Sequence, residues 1–191
     1  MRKSRLYRWR EMWYDGKNRE LNPAFPTHPN RKGVFDMMIR FACEADIPQM
    51  LELLRQVELV HHGIRPDLFR NGGEKYDAEA LRQLLCDPTR PILAAVEDGT
   101  MVGYAFCILQ TVQNDPVLRN RKELYIDDLC VDSSYRGKGV AKALFDRVRA
   151  YGEELGCDAL TLNVWEGNDR ARRFYEKCGL TPRKTYMELS L

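Results

Sequence analysis

The sequence has no long hydrophobic run. None of its apolar stretches approaches the roughly 20 residues that a helix needs to cross a bilayer. The N-terminal stretch MRKSRLYRWREMWYDG also lacks the apolar segment of a secretory signal. These absences favour a cytoplasmic protein with no membrane contact. With 191 residues, 44% of them hydrophobic and 30% charged, the chain is long enough for one domain with its own core.

Cysteine and histidine patterns that bind metal are missing as well. The chain has six cysteines and three histidines, but it has no C-x-x-C pair and no histidine at ligand spacing from a cysteine. Most cysteines lie inside apolar runs, such as YAFCILQ around Cys107. We therefore expect buried or half-buried free thiols in a reducing compartment, with neither a metal site nor a disulfide framework.

The basic residues are concentrated at the N-terminus. Residues 1–36 contain nine Lys/Arg and four Asp/Glu, whereas the whole chain has a net charge of only +2. This segment holds several prolines and shows no clean hydrophobic period. We predict a basic N-terminal extension over residues 1–37 and one domain over residues 38–191. Such an arm could contact nucleic acid, but a peripheral arm is the preferred interpretation.

From residue 38 onward the hydrophobic pattern is regular. It predicts the order β-α-α-β-β-β-α-β-α-β, with no internal repeat. The expected strands are 38–41, 92–96, 101–109, 124–131, 159–164 and 185–189. The expected helices follow Asp46, Asp77, Gly139 and Asn168. Early hairpins and a late β-α-β unit predict an α/β (α+β) fold, in which helices pack on a mixed sheet.

A glycine-rich turn stands before the third predicted helix, in DSSYRGKGVAKALF (132–145). It is not a P-loop, which requires G-x-x-x-x-G-K-[ST]. It is also a poor dinucleotide fingerprint, because Lys142 stands where the third glycine of G-x-G-x-x-G belongs. What remains is R-x-x-G-x-A, placed directly after a strand and directly before a helix.

A turn of this kind suits an anionic ligand. The first-turn amides of a helix lack internal partners, and the helix dipole adds positive potential there. Glycines allow a phosphate to approach the backbone closely. The neighbouring cations are Arg136, Lys138 and Lys142. Taken alone, the hexamer supports a phosphate site and a plain strand-to-helix turn with solvated lysines about equally.

Two longer stretches decide between these interpretations. LYIDDLCVDSSYRGKGVAKALF and LTLNVWEGNDRARRFYEKCGL resemble the GNAT superfamily of N-acetyltransferases, and the resemblance extends over residues 38–191. The first stretch is similar to the family's fourth strand, pyrophosphate loop and third helix. The second matches its N-x-x-A-x-x-F-Y-x-x-x-G pattern at Asn168, Ala171, Phe174, Tyr175 and Gly179. Ala141 departs from the glycine that many members have there.

The resemblance implies a mostly antiparallel sheet with helices on both faces and acetyl-CoA as cosubstrate. The pyrophosphate would lie on the amides of residues 137–142, and the pantetheine would pair with the strand backbone at residues 129–131, like an added strand. Asn168 would cap its helix and contact the pantetheine or a bound water. The implied cofactor-binding residues are Leu129, Cys130, Val131, Arg136, Gly137, Lys138, Gly139, Val140, Ala141, Lys142 and Asn168.

The resemblance also implies the catalytic groups. Tyr175 corresponds to the tyrosine that protonates the departing CoA thiolate, while the adjacent Phe174 can fill the core position. An amine acceptor must lose a proton, which a carboxylate can take. Because side chains alternate along a strand, we expect Asp127 and Asp128 to face opposite sides of the sheet. Asp127 is the preferred base and Asp128 the reserve, although a structural role for either is equally compatible with the pattern.

Several alternatives stay open. The acceptor is a small-molecule amine or a protein amino group, attacked directly in a ternary complex. An acetyl-cysteine intermediate on Cys130 is disfavoured, since no base stands beside it in the sequence. A catalytically silent CoA-binding regulatory module is the second hypothesis. A homodimer is compatible with the sequence, and nucleic acid is not an expected partner. Surface positions are expected for the pairs His61–His62 and Arg173–Lys177.

Overall fold

The computed structural model describes residues 37–191, which form a five-stranded sheet in the order β1-β2-β3-β4-β5. Its strands are β1 (Met37–Phe41), β2 (Ile92–Glu97), β3 (Thr100–Val112), β4 (Arg121–Val131) and β5 (Ala159–Leu162). The helices are α1 (Ile47–Ile64), α2 (Ala78–Leu85), α3 (Val140–Glu154) and α4 (Asp169–Lys177). The predicted basic extension lies outside the described residues, apart from Met37, which begins β1.

The sheet is mixed and mostly antiparallel, as predicted. The pairs β1–β2, β2–β3 and β3–β4 are antiparallel, and β4–β5 is parallel. Helices cover both faces, each over its own hydrophobic cluster. One cluster joins the sheet to α1 and α2 through residues such as Met50, Leu53 and Leu81. The other joins it to α3 and α4 through residues such as Leu144, Phe145 and Phe174.

Local signals for turns and caps are largely confirmed. Asp98 and Gly99 turn the β2–β3 hairpin with positive φ values of 49° and 76°. The carboxylate of Asp77 accepts a hydrogen bond from the Ala80 amide at 2.8 Å and so caps α2. The expected cap by Asp46 is wrong. Its carboxylate instead accepts two hydrogen bonds from the Arg40 guanidinium, at 2.6 and 2.8 Å, and joins β1 to the start of α1.

A β-bulge interrupts the pairing of β3 with β4. Phe106 pairs with Asp128 and Cys107 pairs with Ile126, so Asp127 has no partner on β3. A bulge of this kind shifts the alternation of the strand by one residue. The side chains of Leu124 and Ile126 accordingly lie in the α3-side cluster, whereas Cys130 lies in the cluster under α1 and α2.

The last predicted strand is wrong, since the structure has no strand at residues 185–189. Tyr186, Met187 and Leu189 are almost fully exposed there. Side-chain ion pairs hold the segment instead, between Arg183 and Glu123 at 2.7 Å and between Arg65 and Glu188 at 2.9 Å. Hydrophobic alternation indicates a strand only where a neighbouring edge supplies backbone partners, and the pattern alone does not reveal that edge.

The cysteines are free thiols, but their burial is more varied than expected. Cys107 and Cys130 are buried and Cys157 and Cys178 half-buried, whereas Cys43 and Cys86 are exposed. Among residues 37–191, no group of acidic, cysteine and histidine side chains is arranged to hold a metal ion. The same part of the chain contains no helix with the length and apolarity that spanning a membrane requires.

Candidate active site

The candidate site begins where β4 and β5 separate. Their parallel pairing covers only four positions and ends at Ile126 and Leu162. At this point the amide of Asn163 donates a hydrogen bond to the Tyr125 hydroxyl at 3.1 Å. Within the described chain, no strand pairs with the edge of β4 that continues over residues 127–131. An unpaired strand edge offers backbone donors and acceptors to an extended ligand.

The two carboxylates at the start of this open edge lie on the same face of the sheet. Asp127 Oδ2 accepts a hydrogen bond from Lys75 Nζ at 3.1 Å, and Asp128 Oδ2 accepts one from the Tyr104 hydroxyl at 3.0 Å. Tyr104 belongs to the hydrophobic cluster under α1 and α2, and Lys75 lies in the segment between these two helices. The expectation that the carboxylates face opposite sides is therefore wrong, because the bulge at Asp127 breaks the alternation on which it rested.

Burial and charge act against each other at Asp128. This side chain is only 8% exposed, and burial raises the pKa of its carboxyl above the ordinary range. The charge of Lys75 and the hydrogen bond from Tyr104 oppose that rise without cancelling it. A raised pKa makes the carboxylate a stronger base toward an acidic proton.

Tyr175 on α4 reaches the same region from the opposite side of the sheet. Its ring packs against Phe145 and Phe174, with centroid distances of 6.3 and 5.1 Å. Burial raises the pKa of the Tyr175 phenol, and the negative charge of Asp128 raises it further. The phenol is therefore protonated at neutral pH, and it lies close enough to Asp128 for that carboxylate to influence its pKa.

The glycine turn has the geometry that its sequence predicted. Gly137 and Gly139 have positive φ values of 80° and 88°, and Gly139 stands immediately before α3. A Cβ atom built on either glycine would meet no atom within 4 Å, so the space above the turn is open. Val140 is buried and anchors the start of α3, while Ala141 follows it in the first turn. The first-turn amides of α3 therefore border open space.

The three predicted cations differ in their surroundings. Arg136 Nε lies 3.4 Å from the Val131 carbonyl oxygen, and Lys138 Nζ lies 4.4 Å from the centre of the Tyr135 ring. Lys142 donates to the Asp146 carboxylate at 2.6 Å, which offsets part of its charge.

The residues predicted to contact the pantetheine lie along the open edge. Leu129 and Val131 pack partly into the α3-side cluster. Cys130 faces α1, with Sγ 3.5 Å from the Leu53 carbonyl oxygen, and burial raises its pKa to about 12. A thiol in that state is a poor nucleophile, which agrees with the disfavoured acetyl-cysteine route. Asn168 caps α4, as predicted, by accepting from the Ala171 amide at 3.1 Å.

Three residues that contact the site were not predicted from the sequence. Lys75 and Tyr104 contact the carboxylates, and Gln56 on α1 holds the segment after β4. The Gln56 amide donates to Asp132 at 2.9 Å and accepts from the Ser133 amide at 3.2 Å. These partners are 24 to 77 positions apart in the chain, so no local pattern signals them.

The histidine pair is also less exposed than expected. His61 and His62 lie in the last turn of α1 and are half-buried. The His61 ring packs against Phe69 at a centroid distance of 5.0 Å, and Phe69 in turn packs against Trp165 at 5.2 Å. His61 is also close enough to lower the pKa of Asp128. These three rings form an aromatic cluster, and His61 is its member near Asp128. Arg173 and Lys177 are exposed, as expected.

Comparison with known proteins agrees with this architecture. Residues 57–180 match the model of the acetyltransferase (GNAT) family. A variant of the BH1408 protein from Bacillus halodurans has the same fold, with a TM-score of 0.77 and 31% identity, over 80% of this chain and 98% of that one. An aminoglycoside N-acetyltransferase in complex with CoA shares the fold with a TM-score of 0.62 at 16% identity, over 85% of this chain and 99% of that one.

Other relatives match a shorter part of this chain or have a lower sequence identity to it. A mycothiol acetyltransferase of Propionibacterium freudenreichii is 37% identical over 50% of this chain and 28% of its own length. An uncharacterized N-acetyltransferase of Mycobacterium tuberculosis is 36% identical over 51% of this chain and 56% of its own length. The chain thus spans about half or less of these two relatives. A thialysine N-epsilon-acetyltransferase of Bos taurus is 26% identical over 75% of this chain and 83% of its own length.

The family model covers well over half of the chain, and its match contains both the carboxylates of β4 and the glycine turn before α3. The chain therefore belongs to the GNAT family of acetyltransferases.

Proposed function

We propose that this protein is an N-acetyltransferase that transfers the acetyl group of acetyl-CoA to a primary amine by direct attack. One observation carries the proposal. The open edge of β4 begins at the paired carboxylates Asp127 and Asp128 and leads directly to the glycine turn before α3. A single strand therefore connects groups that can deprotonate an amine to a turn that can bind a pyrophosphate.

The cofactor would lie along this strand. Its pyrophosphate would accept hydrogen bonds from the amides of residues 137–142, where the space above both glycines is open. Arg136 and Lys138 would add positive charge. Its pantetheine would pair with the backbone of residues 129–131, which β5 leaves without a partner. The thioester would then end beside the bulge at Asp127.

The chemistry moves protons at the acceptor nitrogen and at the departing sulfur. Asp127 or Asp128 takes one proton from the acceptor ammonium, directly or through water. The neutral nitrogen then forms a bond to the acetyl carbon, and its second proton replaces the one that Tyr175 gives up. The carbon–sulfur bond breaks, and Tyr175 donates a proton to the departing thiolate. Burial raises the pKa of Asp128, which makes its carboxylate a stronger base, and burial also raises the pKa of Tyr175, whose phenol keeps its proton until the thiolate departs.

The acceptor class follows from the charge of the site. Two carboxylates on one face favour a ligand that arrives as an ammonium ion. The aromatic cluster that begins at His61 offers ring faces to an apolar or cationic part of such a ligand. By their names, relatives of this chain act on thialysine, glucosamine 6-phosphate and aminoglycosides. We infer a small-molecule primary amine as acceptor.

A screen for release of free CoA thiol tests this function. The protein is incubated with acetyl-CoA and a panel of amino acids, diamines, amino sugars and aminoglycosides. Tyr175→Phe should lower turnover by roughly 10- to 1000-fold while leaving acetyl-CoA affinity nearly unchanged. Tyr151→Phe is the matched control, because it removes a half-buried phenol on α3 that packs against Phe41, away from the carboxylates.

The screen also distinguishes the second hypothesis. Binding of acetyl-CoA without consumption by any amine would indicate a silent CoA-binding module. Equal turnover in the parent and Tyr175→Phe would remove Tyr175 from the role of acid.

A further inference from the structure

Lys75 is the amine nearest to the paired carboxylates in the described structure. It lies in the segment between α1 and α2, and its Nζ atom is 3.1 Å from Asp127 Oδ2. The side chain is 30% exposed, and Asp127 is 23% exposed, so the ion pair faces the open region and is not sealed in the core. Lys75 thus presents a primary amine where an acceptor ammonium would bind.

Groups from three elements lie near the paired carboxylates. Lys75 comes from the α1–α2 segment, the carboxylates come from β4, and Tyr175 comes from α4. Lys75 is close enough to Asp128 to oppose the rise in the pKa of that carboxyl. The charge of the same carboxylate raises the pKa of Tyr175. The pairing of β4 with β5 ends one residue before Asp127, so the proposed thioester position and the Lys75 amine meet at the same residue.

We propose that Lys75 is a self-acetylation site, modified by acetyl-CoA bound to the same chain. This inference rests on the proposed function. Lys75 Nζ forms a bond to the acetyl carbon and the carbon–sulfur bond breaks. Because Lys75 is an ammonium ion at rest, it first loses one proton along the existing hydrogen bond to Asp127, which frees the lone pair for attack. Its second proton leaves during the transfer and replaces the one that Tyr175 donates to the CoA thiolate. Asp127 is left protonated. The products are N-acetyl-Lys75 and free CoA, so atoms and charges balance.

The modification would change the site. At present burial lowers the pKa of Lys75, but the Asp128 and Asp127 carboxylates outweigh burial and raise it, so the amine is charged at rest. Acetylation removes that charge and leaves Asp127 without its counter-ion. A cationic acceptor would then replace the lysine as the counter-ion of Asp127, and its affinity should increase.

Mass spectrometry with isotopically labelled acetyl-CoA tests the inference. The full chain is incubated without an added acceptor and then analysed as peptides. We expect at least roughly tenfold more label at Lys75 than at Lys122, which lies at the other end of β4 and donates to the Leu155 carbonyl oxygen at 2.6 Å. Tyr175→Phe and Asp127→Asn should each reduce the label at Lys75 by roughly tenfold or more. Lys75→Arg keeps the positive charge and should abolish it.

The outcomes separate this inference from the proposed function. Label spread equally over Lys75 and Lys122, or unchanged in Tyr175→Phe, would mean unassisted chemical acetylation and would overturn the inference. An unlabelled Lys75 in a protein that acetylates added amines would also overturn it, while the proposed function would stand. A protein that neither labels Lys75 nor releases CoA with any amine would contradict both. A urea unfolding curve for Lys75→Arg confirms that the variant folds.

Discussion

At the scale of single residues, Asp128 shows how burial prepares a group for chemistry. It is buried, accepts a hydrogen bond from Tyr104, and lies near Lys75 and His61. The charged form of such a carboxyl is disfavoured, and its pKa is raised. Burying the charged carboxylate also lowers the free energy of unfolding. Its effect on stability can therefore be measured separately from its effect on turnover.

Asp128→Asn should therefore change the pH dependence of stability. A carboxyl whose pKa is higher in the folded protein than in the unfolded chain costs no stability below about pH 4, where both states are protonated. Its cost grows as the pH rises through the raised pKa. The free energy of unfolding of Asp128→Asn, relative to the parent, should therefore increase with pH over that window. Urea unfolding at a series of pH values measures it, and a pH-independent difference would contradict the raised pKa.

Tyr104→Phe should destabilise the protein. Tyr104 is fully buried, and its hydroxyl donates to Asp128 at 3.0 Å. Without the donor, a buried carboxylate loses its hydrogen bond, at a cost of about 1–3 kcal/mol. Chemical denaturation measures the loss. If Tyr104→Phe is as stable as the parent, the hydrogen bond contributes nothing and Asp128 is stabilised by other means.

At the scale of elements, β4 and α3 leave no room for a side chain at Gly103 on β3. A Cβ atom there would lie 2.9 Å from the Cys130 carbonyl oxygen and 3.2 Å from Leu144 Cδ1. Because the first contact is with backbone, we expect Gly103→Ala to lower the free energy of unfolding by about 1–3 kcal/mol. Gly63→Ala is the matched control. Its Cβ would meet nothing within 4 Å, and alanine in α1 should stabilise by about 0.5–1 kcal/mol.

The contact between α1 and the end of β4 should influence cofactor binding. Gln56 holds Asp132 and the Ser133 amide, just before the glycine turn. Gln56→Ala should weaken acetyl-CoA binding severalfold, because the turn loses one of its supports. Calorimetric titration measures the affinity, and Glu52→Ala on the exposed side of the same helix is the control. Equal affinities in all three proteins would show that the contact does not position the turn.

Local sequence signals predicted most elements of this fold and the glycine turn of the candidate site. Turns and helix caps depend on residues that are neighbours in the chain, so their positions can be predicted from the sequence. Examples are Asp98–Gly99, Asp77 and Gly139. The bulge at Asp127 depends on how two strands pair, and it changed which carboxylates share a face. Lys75 reaches Asp127 across 52 positions, a contact that the tertiary fold alone creates.

At the scale of the whole molecule, acetyl-CoA should stabilise the folded chain. A ligand at about 100 times its Kd that binds only the native state adds about 2.7 kcal/mol. Gly139→Asp should abolish this gain, since it places an anion where the pyrophosphate would lie. Gly139→Asn is the matched control, because asparagine also tolerates a positive φ but carries no charge. Thermal unfolding with and without acetyl-CoA measures both, and full stabilisation of Gly139→Asp would refute the assignment of the turn.

The measurement that tests the central claim most directly is turnover with the paired carboxylates changed. Free CoA release and the acetylated product are followed for the parent, Asp127→Asn, Asp128→Asn and the double variant, with acetyl-CoA binding measured in parallel. We predict that the parent acetylates at least one small primary amine. The double variant should be roughly 100- to 10,000-fold slower while it still binds acetyl-CoA. Parental turnover in the double variant would contradict the account.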